Sequence, residues 1–417
     1  MMRGGPINGV QDENSKCYII GSSKKYRLES VLDDSEEPIN VFRPSFDVES
    51  CLSEIRECLE IGWTGLGYKT EQFENAWRDY TKLPHAHFIS SNSVGLQLAL
   101  KVFAESDNWN AGDEVITTPL TFISTNHAIL LEGFTPVFAD IDEYLCLDPR
   151  SIESKITNKT RAVMFVGIGG NSGQLEEVSK ICAANGIRLI LDAAHMAGSK
   201  LHNVHIGSEA DCAVFSFQAV KNLPTGDSGM ICFRDSRHDE MVRMFSWMGI
   251  DKDTYSRSNM APKGAYKWQY DVKYLGLKAN GNSIMASIGL AQLPHLEMEN
   301  SLRRDIYLRY FNMLGNQKKL RFVPIHPSCT TSQHLVQVRI ESPLRDKLVD
   351  HLMASKIYPG VHYRINTHYT MYSHSYGLLP NAERADEEII SLPVHMKLTD
   401  KEINRVGECI KDFLSSN

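Results

Sequence analysis

Three short stretches of this sequence hold side chains suited to covalent and acid–base chemistry. The first runs VFSFQAVKNLPTGDSGM over residues 214–230. An apolar, strand-like run ends at Ser216, and Lys221 follows five residues later, before a turn-rich segment with Pro224 and Gly226. A lysine drawn out of water has a lowered pKa and becomes a nucleophile that condenses with aldehydes. The ordinary alternative is a solvated loop lysine. The second stretch is LILDAAH, residues 189–195, where Asp192 closes an apolar run and His195 stands three residues on. An acid at the end of a buried strand is costly unless paired, so it can hold a cationic ligand group; it can also simply cap a helix. The third is ISSNSVG, residues 89–95, where Asn92 and Ser93 sit between a strand-like run and a helical one. Free backbone N–H groups and hydroxyls at a helix start bind anions, phosphate above all, although a plain N-cap has the same composition.

Each stretch alone has a bland explanation. Together they supply donors for a phosphate, a carboxylate for a pyridine nitrogen and an amine for an aldehyde. Those are the requirements of pyridoxal phosphate.

The elements around these stretches alternate. Short apolar runs at 86–90, 113–119, 135–141, 161–167, 187–194 and 211–217 are separated by segments of helical periodicity such as QLEEVSKICAANG. Such alternation predicts an α/β fold with a mostly parallel sheet covered on both faces, whose ligands bind beyond the carboxyl ends of the strands. The segment from 286 to 314 reads as one long amphipathic helix with a kink at Pro294. The last hundred residues read as a smaller α+β domain, with strands at VQVRI and YPGVHYRI and a terminal helix at DKEINRVGECIKDFL. The predicted organisation is an N-terminal extension over 1–40 with a small strand at Cys17–Ile20, a large domain over 41–295 and a small domain over 296–417.

The 417 residues carry a net charge of −7, which argues against nucleic acid or anionic membranes as partners. The nine cysteines include no C-x-x-C pair and read as reduced thiols, and no segment has the make-up of a signal peptide or membrane span. The expected location is cytoplasmic.

The motifs, in their order, resemble those of the DegT–StrS sugar aminotransferases, which have the aspartate-aminotransferase fold (fold type I, a three-layer sandwich). The resemblance runs from about Val41 to the C-terminus. It rests on GWTGLGYKTEQFE, SNSVGLQLAL, DEVITTPLTFISTNHAI, LDAAHMAGS, FSFQAVKNLPTGDSGM, YLGLKANGNSIMASIGLAQL, PGVHYRINTHYTMY and SLPVHMKLTDKEI. It implies that Lys221 joins the cofactor's aldehyde and shuttles a proton, that Asp192 pairs with the ring nitrogen, and that His195 contacts the ring's phenolic oxygen. It further implies that Phe122 stacks on the ring, that Asn92, Ser93 and Ser216 bind the phosphate, that Gln218 lines the substrate side, and that Asn280 reaches the phosphate of a second subunit in a homodimer. The implied reaction moves an amino group from an amino acid, glutamate, to a keto or aldehyde sugar carried on a nucleotide. A dehydratase, an aromatising enzyme or a cyclitol aminotransferase would use the same cofactor site. The chain departs from the family pattern at Asn92-Ser93, where Gly-Thr is usual, and at Leu277 and Ala279, where tyrosines are usual.

Overall fold

The structure is a computed structural model that describes residues 37–251, 270–375 and 377–417. The strand expected at Cys17–Ile20 lies outside the described residues. Residues Pro38–Asn417 form one compact unit.

Seven strands make the central sheet: β1 (His87–Ile89), β2 (Glu114–Thr117), β3 (Thr135–Phe138), β4 (Thr160–Val166), β5 (Arg188–Asp192), β6 (Cys212–Ser216) and β7 (Gly229–Phe233). Their spatial order is β1-β7-β6-β5-β4-β2-β3. Strand β7 runs antiparallel to both neighbours, and every other pair is parallel. The apolar runs follow from that placement, because a sheet covered on both faces needs apolar residues at consecutive positions. Along β5 and β6, Leu191, Ala213 and Phe215 face one core cluster while Ile190, Cys212 and Val214 face the other, with the two-residue period of a strand.

Helices cover both faces. Asn92–Asp107, Ile123–Leu131 and Ser236–Phe245 contribute to the cluster around Ile190. Tyr68–Thr81, Leu175–Asn185 and Ser283–Gln292 contribute to the other. The result is the expected three-layer α/β sandwich.

Beyond it, Leu320–Phe322, Val336–Ile340 and Ile389–Leu392 form an antiparallel sheet with Val336–Ile340 in the middle. Helices Leu296–Leu314, Leu344–Ala354 and Asp400–Ser416 share its core. The last begins at a capping box, Thr399 with Glu402, which satisfies two of its first free N–H groups.

The structure differs from the sequence reading in three places. The long helix is two helices, Ser283–Gln292 and Leu296–Leu314, joined by a single tight turn at Leu293–His295. Pro294 has no N–H to donate, so the helix is interrupted there. The strand expected at YPGVHYRI is present only as Ile357–Tyr358, paired with Ile39–Asn40. Pro359 and Gly360 end it, and the chain continues as an irregular loop bearing His362 and Tyr363. The strand Ile389–Leu392 follows directly on the helix Pro380–Glu388, and that adjacency hid it from a periodicity reading.

Candidate active site

The carboxyl ends of β1, β5 and β6 open onto one cavity of about 350 Å³. Asn92, Ser93, Phe122, Asp192, His195, Ser216, Gln218 and Lys221 all line it. Eight of the nine residues singled out from the sequence are therefore brought together. The ninth, Asn280, lies elsewhere: it bridges to Ile89, donates from Nδ2 to the Gly281 carbonyl at 2.7 Å, and accepts the Lys278 ammonium at 2.8 Å.

Asp192 ends β5 and is buried. The chain then turns, so the helix-cap alternative is not realised. Its Oδ2 accepts the Thr125 hydroxyl at 2.8 Å. Its Oδ1 accepts the Ala194 backbone N–H at 3.2 Å and the Asn92 amide at 3.3 Å. Burial pushes its pKa up, opposed by Thr125, Ala194, Lys221 and Asn92. A carboxylate in this state is stabilised by a cation set against it.

Asn92 departs from its expected task. Its side chain is buried and donates to Asp192 and, at 2.8 Å, to the Val214 carbonyl. What it presents to an anion is the start of the helix Asn92–Asp107. That start is capped by Ser91, whose Oγ accepts the Val94 N–H at 3.3 Å, while Ser93 stays exposed to the cavity. Ser216 closes β6 beside it. Hydroxyls from Ser91, Ser93 and Ser216 with a helix N-terminus make a corner whose chemistry suits an anion.

Lys221 follows β6 in a turn whose backbone is fixed by its own N–H to the Gln218 carbonyl at 2.8 Å. Burial brings its pKa down to about 8, with Asp192 acting in the opposite direction. Phe122, 58% exposed, stands at the mouth of the cavity with its ring 6.0 Å from that of Tyr363.

Sequence reasoning missed a shell of residues behind these. Thr125 was inside the quoted TFISTNHAI run, one turn after Phe122, and it tethers Asp192. His334 and His362 line the cavity with Tyr363. The His334 ring lies against that of His195, tilted by 33° with centroids 4.3 Å apart, and meets Asn222 Oδ1 through Nδ1 at 2.7 Å. The Asn222 amide also donates to the Ser332 carbonyl, so its oxygen must face the histidine and His334 carries its hydrogen on Nδ1. Burial keeps His334 well below its ordinary pKa and brings His362 down to about 4. The sequence signal for His362 and Tyr363 was the PGVHYRINTHYTMY segment, to which no role had been attached.

The model of the DegT/DnrJ/EryC1/StrS aminotransferase family matches residues 47–411. The chain belongs to this family. It is 32% identical over 374 residues to the spore coat polysaccharide biosynthesis protein SpsC of Bacillus subtilis (strain 168), covering 87% of this chain and 94% of SpsC. Among solved structures it is similar to Spr1654 from Streptococcus pneumoniae at 26% identity. The pyridoxal phosphate form of Spr1654 has a TM-score of 0.82 and the pyridoxamine phosphate form 0.83; the latter match covers 91% of this chain and 98% of that one. DesI, solved in the presence of its TDP-sugar product, matches at 25% identity and TM-score 0.80, over 91% of this chain and 94% of DesI.

This DegT/StrS-type chain is thus a pyridoxal phosphate-dependent aminotransferase, and its cavity fits the cofactor on its own geometry. Among the described residues nothing hydrogen-bonds the Lys221 amine, which is left to meet an aldehyde. Asp192 is buried and short of a cation, and the serine corner can take a phosphate. No group of three or more metal-ligating side chains occurs among the described residues, and no described helix is long and apolar enough to cross a membrane.

Proposed function

We propose that the enzyme transfers an amino group from an amino acid, glutamate, to a keto or aldehyde carbon of a sugar carried on a nucleotide. The observation that carries this reading is that Asp192, at the end of β5, and Lys221, in the turn after the adjacent parallel strand β6, line one cavity inside a chain of an aminotransferase family. Support for the substrate class comes from DesI, whose structure was solved with a TDP-sugar product, and from SpsC, named for polysaccharide biosynthesis.

When bound, the cofactor supplies an electron sink that makes the donor's Cα–H acidic. The chain's residues do the rest. Lys221, with its pKa brought down to about 8, is the group that takes a proton from carbon and returns it, since a general base works best when its pKa lies near the working pH. Asp192 holds a positive charge at the far side of the site, and Thr125 and Asn92 fix the carboxylate's orientation. Ser91, Ser93 and Ser216 anchor the phosphate end. Phe122 closes the mouth of the cavity and keeps water from one face. Gln218, exposed on the same rim, meets the substrate. Asn280, turned away from its own chain's cavity, serves a second copy in a homodimer. The proposed location is the cytoplasm.

The test begins with the pyridoxamine phosphate form of the purified enzyme and a panel of nucleotide-linked keto sugars. The right sugar restores the visible absorbance of the pyridoxal form. In the complete reaction, 15N from labelled glutamate appears in the sugar. Nitrogen that stays on glutamate while the sugar loses water or aromatises would favour a dehydratase or aromatising reaction. Lys221→Ala should abolish turnover, and full activity in that variant would refute the reading.

A further inference from the structure

Both ring nitrogens of His195 are committed to the protein. The Gly169 backbone N–H lies 3.2 Å from Nδ1, and a backbone N–H can only donate, so Nδ1 carries no hydrogen. Burial holds the ring well below its ordinary pKa, with Lys221 and His362 pushing the same way, so the imidazole is neutral. Its single hydrogen therefore sits on Nε2. Nε2 lies 3.1 Å from the Tyr363 hydroxyl oxygen, so that hydrogen points at the tyrosine. The tyrosine's own hydrogen must point elsewhere. Among the described residues this hydroxyl has no second hydrogen-bond partner, and Tyr363 lines the cavity. Burial, reinforced by Asp192, raises the phenol's pKa, so it keeps that hydrogen throughout the working range.

The loop bearing Tyr363 is held from several sides. Gln337 donates to the His362 carbonyl at 2.7 Å, and His362 Nδ1 meets the Ser391 hydroxyl at 2.9 Å. Three residues on, the Asn366 side chain donates to the Thr121 carbonyl at 2.9 Å. The hydroxyl is therefore a fixed donor.

We propose that the Tyr363 hydroxyl, and not His195, is the hydrogen-bond donor offered to the phenolate oxygen of bound pyridoxal phosphate, with His195 as the positioning residue that aims it. The inference rests on the cofactor reading of the cavity. It changes the role that family resemblance gives to His195, because neither of that ring's nitrogens is free to reach a ligand. The titratable groups that line the cavity with the donor are Asp192, Asp227, Lys221, His195, His334 and His362. Burial lowers the pKa of all three histidines, so a titration above neutral pH reports the ring and Lys221 rather than an imidazole.

The experiment is a pH titration of the visible absorbance of the full-length holoenzyme, with pyridoxal phosphate as the probe. A donor on the ring oxygen draws negative charge away from the nitrogen that Lys221 contributes. Without that donor the oxygen holds the nitrogen's proton more tightly, so the midpoint rises. A hydrogen bond to a charged oxygen is worth about one to two pH units. Tyr363→Phe should therefore raise the midpoint by about that much. His195→Gln keeps an N–H to set against the tyrosine and should move the midpoint far less. A midpoint unmoved in Tyr363→Phe, or moved only in His195→Gln, overturns the assignment. A second measurement needs no variant to fold well: 15N NMR of the histidine-labelled wild-type apoprotein should find the His195 hydrogen on Nε2, and a hydrogen on Nδ1 overturns the proposal. A wild-type protein that takes up no colour would fail the cofactor reading itself, and that failure is distinct from a normal wild-type titration that Tyr363→Phe leaves in place.

Discussion

At pH 7 the Lys221 amine should react as few protein lysines do. Its pKa falls from the ordinary 10.5 to about 8 because burial penalises the ammonium more than Asp192 favours it. At pH 7 a group with that pKa is unprotonated in roughly a tenth of the molecules, against about 0.03% at the ordinary value, a difference of roughly 300-fold. The assay is limited acylation of the apoprotein at a series of pH values, with the Lys221 peptide quantified by mass spectrometry against surface-lysine peptides. Labelling of Lys221 should reach half its maximum near pH 8, while the surface peptides lag by about two pH units. Asp192→Asn removes the one group favouring the ammonium, so the midpoint should drop further. The same shift has a cost in stability. Below pH 8 the lysine is charged in both folded and unfolded chains, and the folded state bears the full penalty, roughly 3 kcal/mol or less. As pH rises from 8 to 10.5 only the unfolded chain stays protonated, and the penalty fades to nothing. Lys221→Met apoprotein should accordingly unfold at higher temperature than wild type at pH 6.5 and lose most of that advantage by pH 10. A wild-type midpoint near 10.5, an upward move in Asp192→Asn, or a pH-independent stability difference would refute the reasoning.

Other outcomes follow from the same geometry. Thr125→Val removes the 2.8 Å hydrogen bond to Asp192 and should weaken cofactor binding about tenfold, read by equilibrium dialysis against pyridoxal phosphate. Asn222→Ala strips His334, Asn300 and the Ser332 carbonyl of a shared buried partner and should cost about 1–3 kcal/mol in urea unfolding. Gly229→Ala would put a methyl group 2.7 Å from the Phe215 carbonyl and 2.9 Å from the Asn92 backbone nitrogen. Because that helix start borders the anion corner, this variant should lose phosphate-dependent cofactor affinity along with about 1–3 kcal/mol of stability.

What could be read in the sequence was what local chemistry determines. Leu189–Leu191 in β5 and Cys212–Phe215 in β6 are apolar at consecutive positions because both faces of the sheet are covered, so they stood out, and the polar residues ending them, Asp192 and Ser216, marked the rim. Lys221 was conspicuous because it follows such a run. The residues that hold Asp192 and His195 in place were hidden because they are adjacent only in the folded chain. Thr125 and Asp192 are 67 residues apart, and His195 and Tyr363 are 168 apart. No periodicity connects such pairs. Spacing located the helix start at Asn92 but could not tell which way its side chain turns, and it turns to Asp192 and the Val214 carbonyl.

The tether between the C-terminal segment and Asp192 bears on how this enzyme can be re-engineered. Asn366 accepts the Asn126 amide at 2.6 Å and donates to the Thr121 carbonyl; the Thr121 and Thr125 hydroxyls meet at 2.8 Å, and Thr125 holds Asp192. A chimera that took a new substrate wall by exchanging everything after the β7 strand would replace one end of this chain while keeping the other. Its acid would be held by a mismatched graft. An exchange that leaves Asn366 in place, or carries Thr121, Thr125 and Asn126 with it, keeps donor and acceptor matched across the seam.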